Sequence, residues 1–194
     1  MKKLNGNLVR KINIAVFISG KGSNLLSIIK KSLTKESLFK VSLVLSNKKN
    51  VKGLLIAKKY NIKTLVSDFT KSNSKERKVI NILKKNQIKL VCLAGFMKIL
   101  SNNFITLFKG KIINIHPSLL PKYKGLNTHE KVIKNKDKET GCTIHFVTED
   151  LDCGPILVQK KCSVNRFDDA KTLKERVQKL EGQAFLEAIK LFYY

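Results

Sequence analysis

The chain has 194 residues, of which 43% are hydrophobic and 27% are charged, and its formal net charge is +25. The first two fractions exclude an intrinsically disordered chain. No apolar run approaches the roughly 18 residues of a transmembrane helix, and no small-residue cleavage site follows the basic N-terminus, so we expect neither a membrane span nor a secretory signal. The four cysteines form no C-x-x-C pair, which disfavours structural zinc or a disulfide framework and favours a reducing cytoplasm.

The positive charge comes from 39 basic and 14 acidic residues, an excess typical of nucleic-acid-binding proteins. Only four of the basic residues are Arg, however, and the lysines are spread over most polar segments without interleaved aromatic residues. We therefore interpret the charge as compositional and expect no nucleic-acid partner, with selected polyanion binding as the alternative. Eleven of the fourteen carboxylates lie in residues 121–194, where we expect any carboxylate chemistry.

Hydrophobic periodicity predicts alternating strands and helices through the first half of the chain. The predicted strands span residues 12–18, 41–45, 64–66, 90–94 and 112–115. The predicted helices between them span residues 24–31, 53–60 and 73–86. This order is typical of βαβ units, and it predicts an α/β fold: a doubly wound, mostly parallel twisted sheet, Rossmann-like, with helices on both faces.

The second half is less regular. It contains a loop over residues 117–125, a short helix beginning near Thr128, and strands near residues 142–147 and 156–161. A long amphipathic helix is predicted from about Ala170 to the end. Its buried stripe is predicted to contain Leu173, Val177, Leu180, Ala184 and Ile189. We expect a single domain over residues 1–194, with an extension of residues 1–10 and halves of about 11–110 and 111–194.

The first candidate site is the segment Ser19-Gly-Lys-Gly-Ser-Asn24, which follows the first strand and opens a helix. Free N–H groups and the helix dipole favour an anion there. The segment lacks the Lys-Ser/Thr pair of a P-loop, and Leu25 stands where a dinucleotide fingerprint has its third glycine. The residues leave two interpretations open, phosphate binding and a tight strand-to-helix turn.

The second candidate site combines Asn114 and His116 at the end of a predicted parallel strand. Residues two apart on a strand point to the same side, and ligands of open α/β sheets bind at the carboxyl ends of strands. An amide donor beside an imidazole suits attack on a carbonyl group. Asp152, in a later turn-rich loop, can orient or charge an imidazole. The alternatives are a strand-end histidine held by backbone groups and a merely solvated turn.

The other histidines and the cysteine beside Asp152 are less informative. His145 lies in an alternating strand and is interpreted as structural, and His129 follows a helix cap and is predicted at the surface. The three histidines form no HxH or HExxH pair, so we expect no metal. Cys153 would be a nucleophile only with an activating base.

Four segments together resemble the folate-dependent formyltransferases. They are Gly20-Lys-Gly-Ser-Asn24, Leu93-Ala-Gly-Phe-Met-Lys-Ile-Leu100, Asn114-Ile-His-Pro-Ser-Leu-Leu-Pro121 and Leu151-Asp-Cys-Gly-Pro155. The likeness runs from about Lys11 through Glu181, and the third segment is specific to the group as a whole. The phosphate loop and the chain length indicate the phosphoribosylglycinamide formyltransferase family within it.

The resemblance implies direct transfer of a formyl group from 10-formyltetrahydrofolate to the amine of 5′-phosphoribosylglycinamide in de novo purine biosynthesis, without a metal. It implies that Asn114 donates to the formyl oxygen, that His116 acts as the acid, and that Asp152 holds His116 protonated and helps to move the amine's proton. The implied nucleotide site consists of Gly22, Ser23 and Asn24 on the phosphate, with Gln178, Lys179, Leu180 and Glu181, the last on the ribose hydroxyls. The implied folate pocket consists of Met97, Lys98, Ile99, Leu100, Asn114, Thr148, Glu149, Asp150, Leu151 and Asp152.

The chain departs from the family pattern at Lys21, Lys124 and Cys153, none of them in the implied catalytic trio. Lys75 is a weak match to a folate-contacting arginine and is not assigned. The half over residues 11–110 is then expected to bind the nucleotide phosphate, and the half over 111–194 the folate and the reacting group.

Other functions fit the sequence less well. A formyltetrahydrofolate deformylase shares the trio but normally has an N-terminal regulatory domain, and methionyl-tRNA formyltransferase has a C-terminal RNA-binding domain; we expect neither in this chain. A nucleic-acid-binding module leaves the trio unexplained, and the incomplete glycine pattern disfavours a nicotinamide-dependent enzyme. We expect a cytoplasmic enzyme with small-molecule substrates, as a monomer or homodimer.

Overall fold

The structure is a computed structural model that describes residues 3–4, 7–8, 11–69 and 73–193. Its strands are β1 (Lys3–Leu4), β2 (Asn7–Leu8), β3 (Ile12–Ile18), β4 (Phe39–Ser46), β5 (Thr64–Val66), β6 (Ile88–Leu93), β7 (Lys111–His116), β8 (Glu139–Phe146) and β9 (Ile156–Ser163). Its helices are α1 (Ser23–Ser32), α2 (Lys52–Lys59), α3 (Asn73–Lys85), α4 (Asn102–Leu107), α5 (Thr128–Lys134) and α6 (Ala170–Lys190). The chain forms two compact units: unit 1 extends to residue 112 and includes Tyr193, and unit 2 spans residues 113–192.

Unit 1 is built on parallel strands in the order β5-β4-β3-β6. Strand β3 is a continuous apolar run from Ile14 to Ile18, and these five residues are fully buried because the strand is covered on both faces. The chain runs from β3 outward to β5 and then returns to β6 on the other side of β3. The strand order therefore reverses at the β3/β6 pair, which is the position at which open α/β sheets bind ligands.

Unit 2 is antiparallel, since β8 pairs with β7 on one side and with β9 on the other. The α/β fold class is confirmed, and each predicted strand and helix is present within a few residues of its predicted bounds. Among the described residues, none of the helices has the length and apolar character needed to cross a membrane.

Helix α4 and the short strands β1 and β2 are elements that the sequence patterns did not predict. The cap of α4 is Ser101, whose hydroxyl accepts a hydrogen bond from the backbone N–H of Phe104. The same Ser101 donates its hydroxyl and its backbone N–H to the buried carboxylate of Glu76 in α3. A helix of six residues is not stable from propensity alone. It therefore depends on this contact with α3 and on the complete burial of Phe104, neither of which local periodicity reveals.

Helix α6 buries a wider face than the predicted stripe. Four of the predicted residues are buried: Leu173, Val177, Ala184 and Ile189. Leu180 is only partly buried, whereas Phe185 and Ala188 are fully buried without having been predicted. The reason is that α6 packs against β8, β9 and α5, so its apolar surface must cover more than one neighbour.

An ion pair holds the start of α6 and leads to a prediction about acid stability. Arg176 donates two hydrogen bonds to the Asp168 carboxylate, and this interaction lowers the pKa of Asp168 to about 2. An unfolded Asp has a pKa of about 3.9, so the pair stabilises the fold fully above about pH 4 and loses this effect as the pH falls through about 2. We expect Asp168→Asn to lower the urea midpoint at neutral pH and to lower it progressively less between about pH 4 and 2.

The control for this prediction is Glu149→Gln, which removes an exposed carboxylate of the same unit. Equal destabilisation of Asp168→Asn at both ends of the pH range would contradict the prediction.

Candidate active site

In unit 1, the loop after β3 presents the N-terminus of α1. Gly22 immediately precedes the helix in a left-handed conformation, with φ of +77°, and a Cβ there would lie 2.7 Å from the Gly53 Cα. Only glycine fits both requirements. Ser23 is exposed in the first turn, and Asn24 is buried behind it. The first-turn N–H groups of a helix attract anions, which keeps phosphate binding at this loop as the prediction.

The segment after β6 lies against this loop. The backbone N–H of Met97 donates to the Ser19 hydroxyl at 2.7 Å, and Ser19 also donates to the Asn47 side chain. The two segments therefore meet at the β3/β6 pair, where the strand order reverses. Met97 and Ile99 expose 62% and 74% of their surface, so apolar area is available to a ligand, whereas Leu100 is buried in unit 1.

In unit 2, the structure brings the predicted catalytic trio together. Asn114 and His116 lie on β7, and Asp152 lies in the turn between β8 and β9. The Asp152 Oδ2 atom is 3.2 Å from the His116 Nδ1 atom, and both side chains are 5% exposed. The backbone N–H of Gly125 donates to the same Oδ2 atom at 2.9 Å. The sequence motifs, 36 residues apart, thus form one buried polar cluster.

The ring of His116 contacts an acceptor at each nitrogen. Its Nε2 atom donates to the Tyr123 carbonyl at 2.8 Å, and its Nδ1 atom faces Asp152. Burial lowers the pKa of His116, and this effect outweighs the Tyr123 carbonyl and the Asp152 charge, which raise it. Burial therefore opposes the protonated His116 that the resemblance implied, because it removes the water that would solvate the cation, whereas the two acceptors at the ring nitrogens favour it.

Asp152 is held as a carboxylate. Burial raises the pKa of Asp152, but polar contacts with His145 and Gly125 and the charge of His116 lower it by more. The pKa of Asp152 is therefore below its ordinary value. Its backbone is left-handed, with φ of +52°. Asp tolerates this conformation better than most residues, so the tight turn can direct its side chain back to β7.

His145 is a member of this cluster that sequence analysis interpreted as structural. It is 2% exposed, and its Nε2 atom lies 3.2 Å from the Asn114 Nδ2 atom and 3.6 Å from the Asp152 Oδ1 atom. Asn114 and His145 are direct cross-strand partners in the β7/β8 register. A shift in the β8/β9 register between Ile144 and His145 marks the irregularity often found beside active sites. The alternation of polar and apolar residues along β8 indicates to which face His145 points. It does not indicate which strand pairs with β8, so the contact with Asn114 could not be predicted.

The remaining predicted residues of unit 2 lie on α6 and on the β8/β9 connection. Gln178 and Glu181 are half-buried, and burial together with the nearby charge of Glu181 raises the pKa of the Cys142 thiol in β8. Lys179 is exposed and Leu180 is half-buried. In the connection, Thr148, Glu149, Asp150 and Leu151 are all exposed.

Four residues outside the trio have burial or contacts that the sequence motifs do not show. His129 was predicted at the surface, which is wrong: it is 8% exposed, because α5 packs against α6. The Lys124 ammonium donates to the Cys153 sulfur at 2.9 Å, so these two departures from the family pattern contact each other. Lys75 is paired with Asp68 at 2.7 Å.

Comparison with known proteins finds formyltransferases that match most of the chain. A family model described as "Formyl transferase" matches residues 12–189. Phosphoribosylglycinamide formyltransferase of Escherichia coli strain K12 is 40% identical over 184 residues, which are 93% of this chain and 87% of that protein. The trifunctional purine biosynthetic protein adenosine-3 of Gallus gallus is 42% identical over 93% of this chain. The chain spans only 18% of that larger relative.

Solved structures show the same likeness. The crystal structure of phosphoribosylglycinamide formyltransferase from Anaplasma phagocytophilum matches with a TM-score of 0.90 and 41% identity, over 95% of this chain and 87% of that one. The glycinamide ribonucleotide transformylase 1 from Symbiobacterium toebii matches with a TM-score of 0.91 and 33% identity, over 99% of this chain and 92% of that one.

Proposed function

Because the chain belongs to the phosphoribosylglycinamide formyltransferase family, we propose that it transfers the formyl group of 10-formyltetrahydrofolate to the amino group of 5′-phosphoribosylglycinamide, a step of de novo purine biosynthesis. The observation that carries the proposal is the contact of Asp152 with His116 in unit 2, beside Asn114. A donor amide, an imidazole and a carboxylate are the groups that amine attack on a formyl carbon requires.

In the proposed reaction, the amine nitrogen bonds to the formyl carbon and the C=O bond opens to an oxyanion. Asn114 donates an amide N–H to this oxygen, and a preorganised donor of this kind lowers the barrier by about 3 kcal/mol. The amine's proton goes to Asp152, whose Oδ2 atom contacts His116 Nδ1. The C=O bond then re-forms, the bond between the formyl carbon and the folate nitrogen breaks, and that nitrogen takes up the proton.

The environment of His116 suits this proton transfer. Asp152 passes the amine's proton to His116 Nδ1 across their 3.2 Å contact, and the ring, whose pKa is lowered by burial, then gives a proton readily to the departing nitrogen. Its Nε2 atom is engaged by the Tyr123 carbonyl, so the ring must release this hydrogen bond before Nε2 can act as the acid at the oxyanion. Nδ1 already contacts Asp152, so it can receive the amine's proton through Asp152 without the loss of a hydrogen bond.

The substrate contacts in the proposal are those of the predicted segments. Gly22, Ser23 and Asn24 bind the 5′-phosphate at the start of α1, and Gln178 to Glu181 bind the glycinamide nucleotide, with Glu181 on the ribose hydroxyls. Exposed apolar side chains on both folate segments support folate binding: Met97 and Ile99 in one, and Leu151, 55% exposed, in the other. Both substrates are small molecules, and neither a metal nor a nucleic acid takes part.

The direct test is to mix the purified protein with 10-formyltetrahydrofolate and to follow tetrahydrofolate by absorbance, with and without 5′-phosphoribosylglycinamide. Product formation that requires the nucleotide is the expected result. Equal release without the nucleotide would mean hydrolysis, the deformylase reaction, because the same three groups can activate water. No turnover in either mixture, from folded protein, would contradict the proposal.

Glu181 provides a separate test of the nucleotide site. We expect Glu181→Gln to weaken 5′-phosphoribosylglycinamide binding about tenfold or more, because a hydrogen bond to a charged group contributes about 1.5 to 3 kcal/mol. Isothermal titration calorimetry measures this Kd directly. The matched control is Glu175→Gln, which removes an exposed carboxylate from the same helix and is expected to leave the Kd unchanged. Unchanged affinity in Glu181→Gln would remove Glu181 from the site.

A further inference from the structure

We propose that His145 is a positioning residue for Asn114: its Nε2 atom accepts one amide N–H of Asn114 and so keeps the amide nitrogen, not the amide oxygen, available to donate to the substrate. The inference rests on the proposed function, since it concerns the donor to the formyl oxygen. It adds a residue to the trio through a contact that can be tested independently of turnover.

The first step of the argument is the tautomer of His145. Its Nδ1 atom lies 2.8 Å from the Phe146 carbonyl oxygen, which can only accept a hydrogen bond. Nδ1 must therefore carry the proton. In the neutral ring, Nε2 is then an acceptor only.

The second step is the orientation of the Asn114 amide. An acceptor at Nε2, 3.2 Å away, requires the NH2 group of Asn114 on that side and not its carbonyl. The amide has two N–H bonds, so the second one remains free of this contact and can donate elsewhere. Without His145, the two ends of the amide would be distinguished only by weaker contacts, and a reversed amide would present an oxygen to the oxyanion.

The third step is the rigidity of the arrangement. His145 and Asn114 are opposite each other on paired strands, and His145 is 2% exposed. The Phe146 carbonyl that sets the tautomer is itself confined, because a Cβ at Gly154 would lie only 1.8 Å from its oxygen. Phe146 is also held by its N–H, which donates to the Pro155 carbonyl at 2.9 Å.

Asp152 is the competing partner for His145. Its Oδ1 atom is 3.6 Å from Nε2, which is an ionic contact and too long for a hydrogen bond. Asn114 is closer, and Asp152 is already engaged by Gly125 and His116. The hydrogen bond of His145 is therefore made to Asn114.

The kinetic test compares two substitutions. His145→Gln supplies an acceptor near the position of Nε2, whereas His145→Leu supplies none at similar volume. Removal of one oxyanion donor costs about 100-fold to 1000-fold in kcat, so misorienting it in His145→Leu is expected to cost at least about tenfold, with KM for both substrates within about twofold of the wild type. His145→Gln is expected to keep kcat within about threefold.

The matched control is His129→Leu, which removes another buried histidine of unit 2 and is expected to leave kcat unchanged. Equal kcat values in His145→Leu and the wild type, or equally low values in His145→Leu and His145→Gln, would overturn the inference, the latter by showing a purely structural role.

The second readout is the tautomer itself, from the long-range ¹H–¹⁵N spectrum of the wild-type imidazoles. We expect His145 to be protonated at Nδ1, and we expect its Nε2 resonance to move when Asn114 is replaced by Leu. A proton on Nε2 would overturn the inference even if His145→Leu does not fold. Since this spectrum needs no turnover, a failure of the proposed function, seen as a wild type without formyl transfer, is distinguishable from a failure of the inference.

Discussion

Asp152→Asn is expected to lower kcat for formyl transfer by about 1000-fold or more, because it removes both the proton acceptor and the negative charge beside His116. Asn has nearly the same shape, tolerates the left-handed backbone at this position, and can still accept from Gly125 through its carbonyl oxygen. The fold and the Kd for 5′-phosphoribosylglycinamide should therefore change little. Steady-state kinetics with calorimetry of the nucleotide measure the two effects separately.

The control is Glu175→Gln, which changes an exposed carboxylate of the same unit outside the predicted sites. His116→Ala should lose a similar factor, and the double variant should lose little more than either single one, because residues that move one proton act as a unit. Turnover of Asp152→Asn within about tenfold of the wild type would contradict the mechanism, since general acid–base groups contribute about 100-fold or more.

Gly154→Ala is expected to destabilise the protein by about 3 kcal/mol, because the new Cβ would lie 1.8 Å from the Phe146 carbonyl oxygen and the backbone must move to relieve the overlap. Thr148 Cγ2, at 3.3 Å from the same Cβ position, limits movement in another direction. Urea unfolding followed by circular dichroism measures the change in the free energy of unfolding.

The same substitution should also lower the activity of the folded fraction. Phe146 sets the tautomer of His145, and Gly154 is only two residues from Asp152. Gly20→Ala is the control for stability: a Cβ there meets nothing within 4 Å, and its backbone is not in the left-handed region. A Gly154→Ala protein as stable as Gly20→Ala would show that the close approach to Phe146 is not required.

The sequence by itself was sufficient to predict the order of the strands and helices other than α4, β1 and β2, and to select Asn114, His116 and Asp152 as the candidate trio. The apolar run from Ile14 to Ile18 in β3 and the periodic apolar positions of α6 reflect which faces of these elements are buried. Local sequence patterns are enough to show both. Asn114 and His116 were placed on one side of a strand by their spacing of two, which is a property of any extended chain. Asp152 was a candidate from its place in a turn-rich loop, and the resemblance then joined it to the other two.

Contacts between segments that are distant in the chain required the tertiary structure. The pairing of Asn114 with His145 depends on the register of β7 and β8, and a shift of one residue would have turned His145 to the opposite face. The burial of His129 depends on α6, and the existence of α4 depends on Glu76 of α3. The lowered pKa of His116 likewise results from burial. Spacing along the chain reports which way a side chain points, but only packing determines what it meets and how much water remains around it.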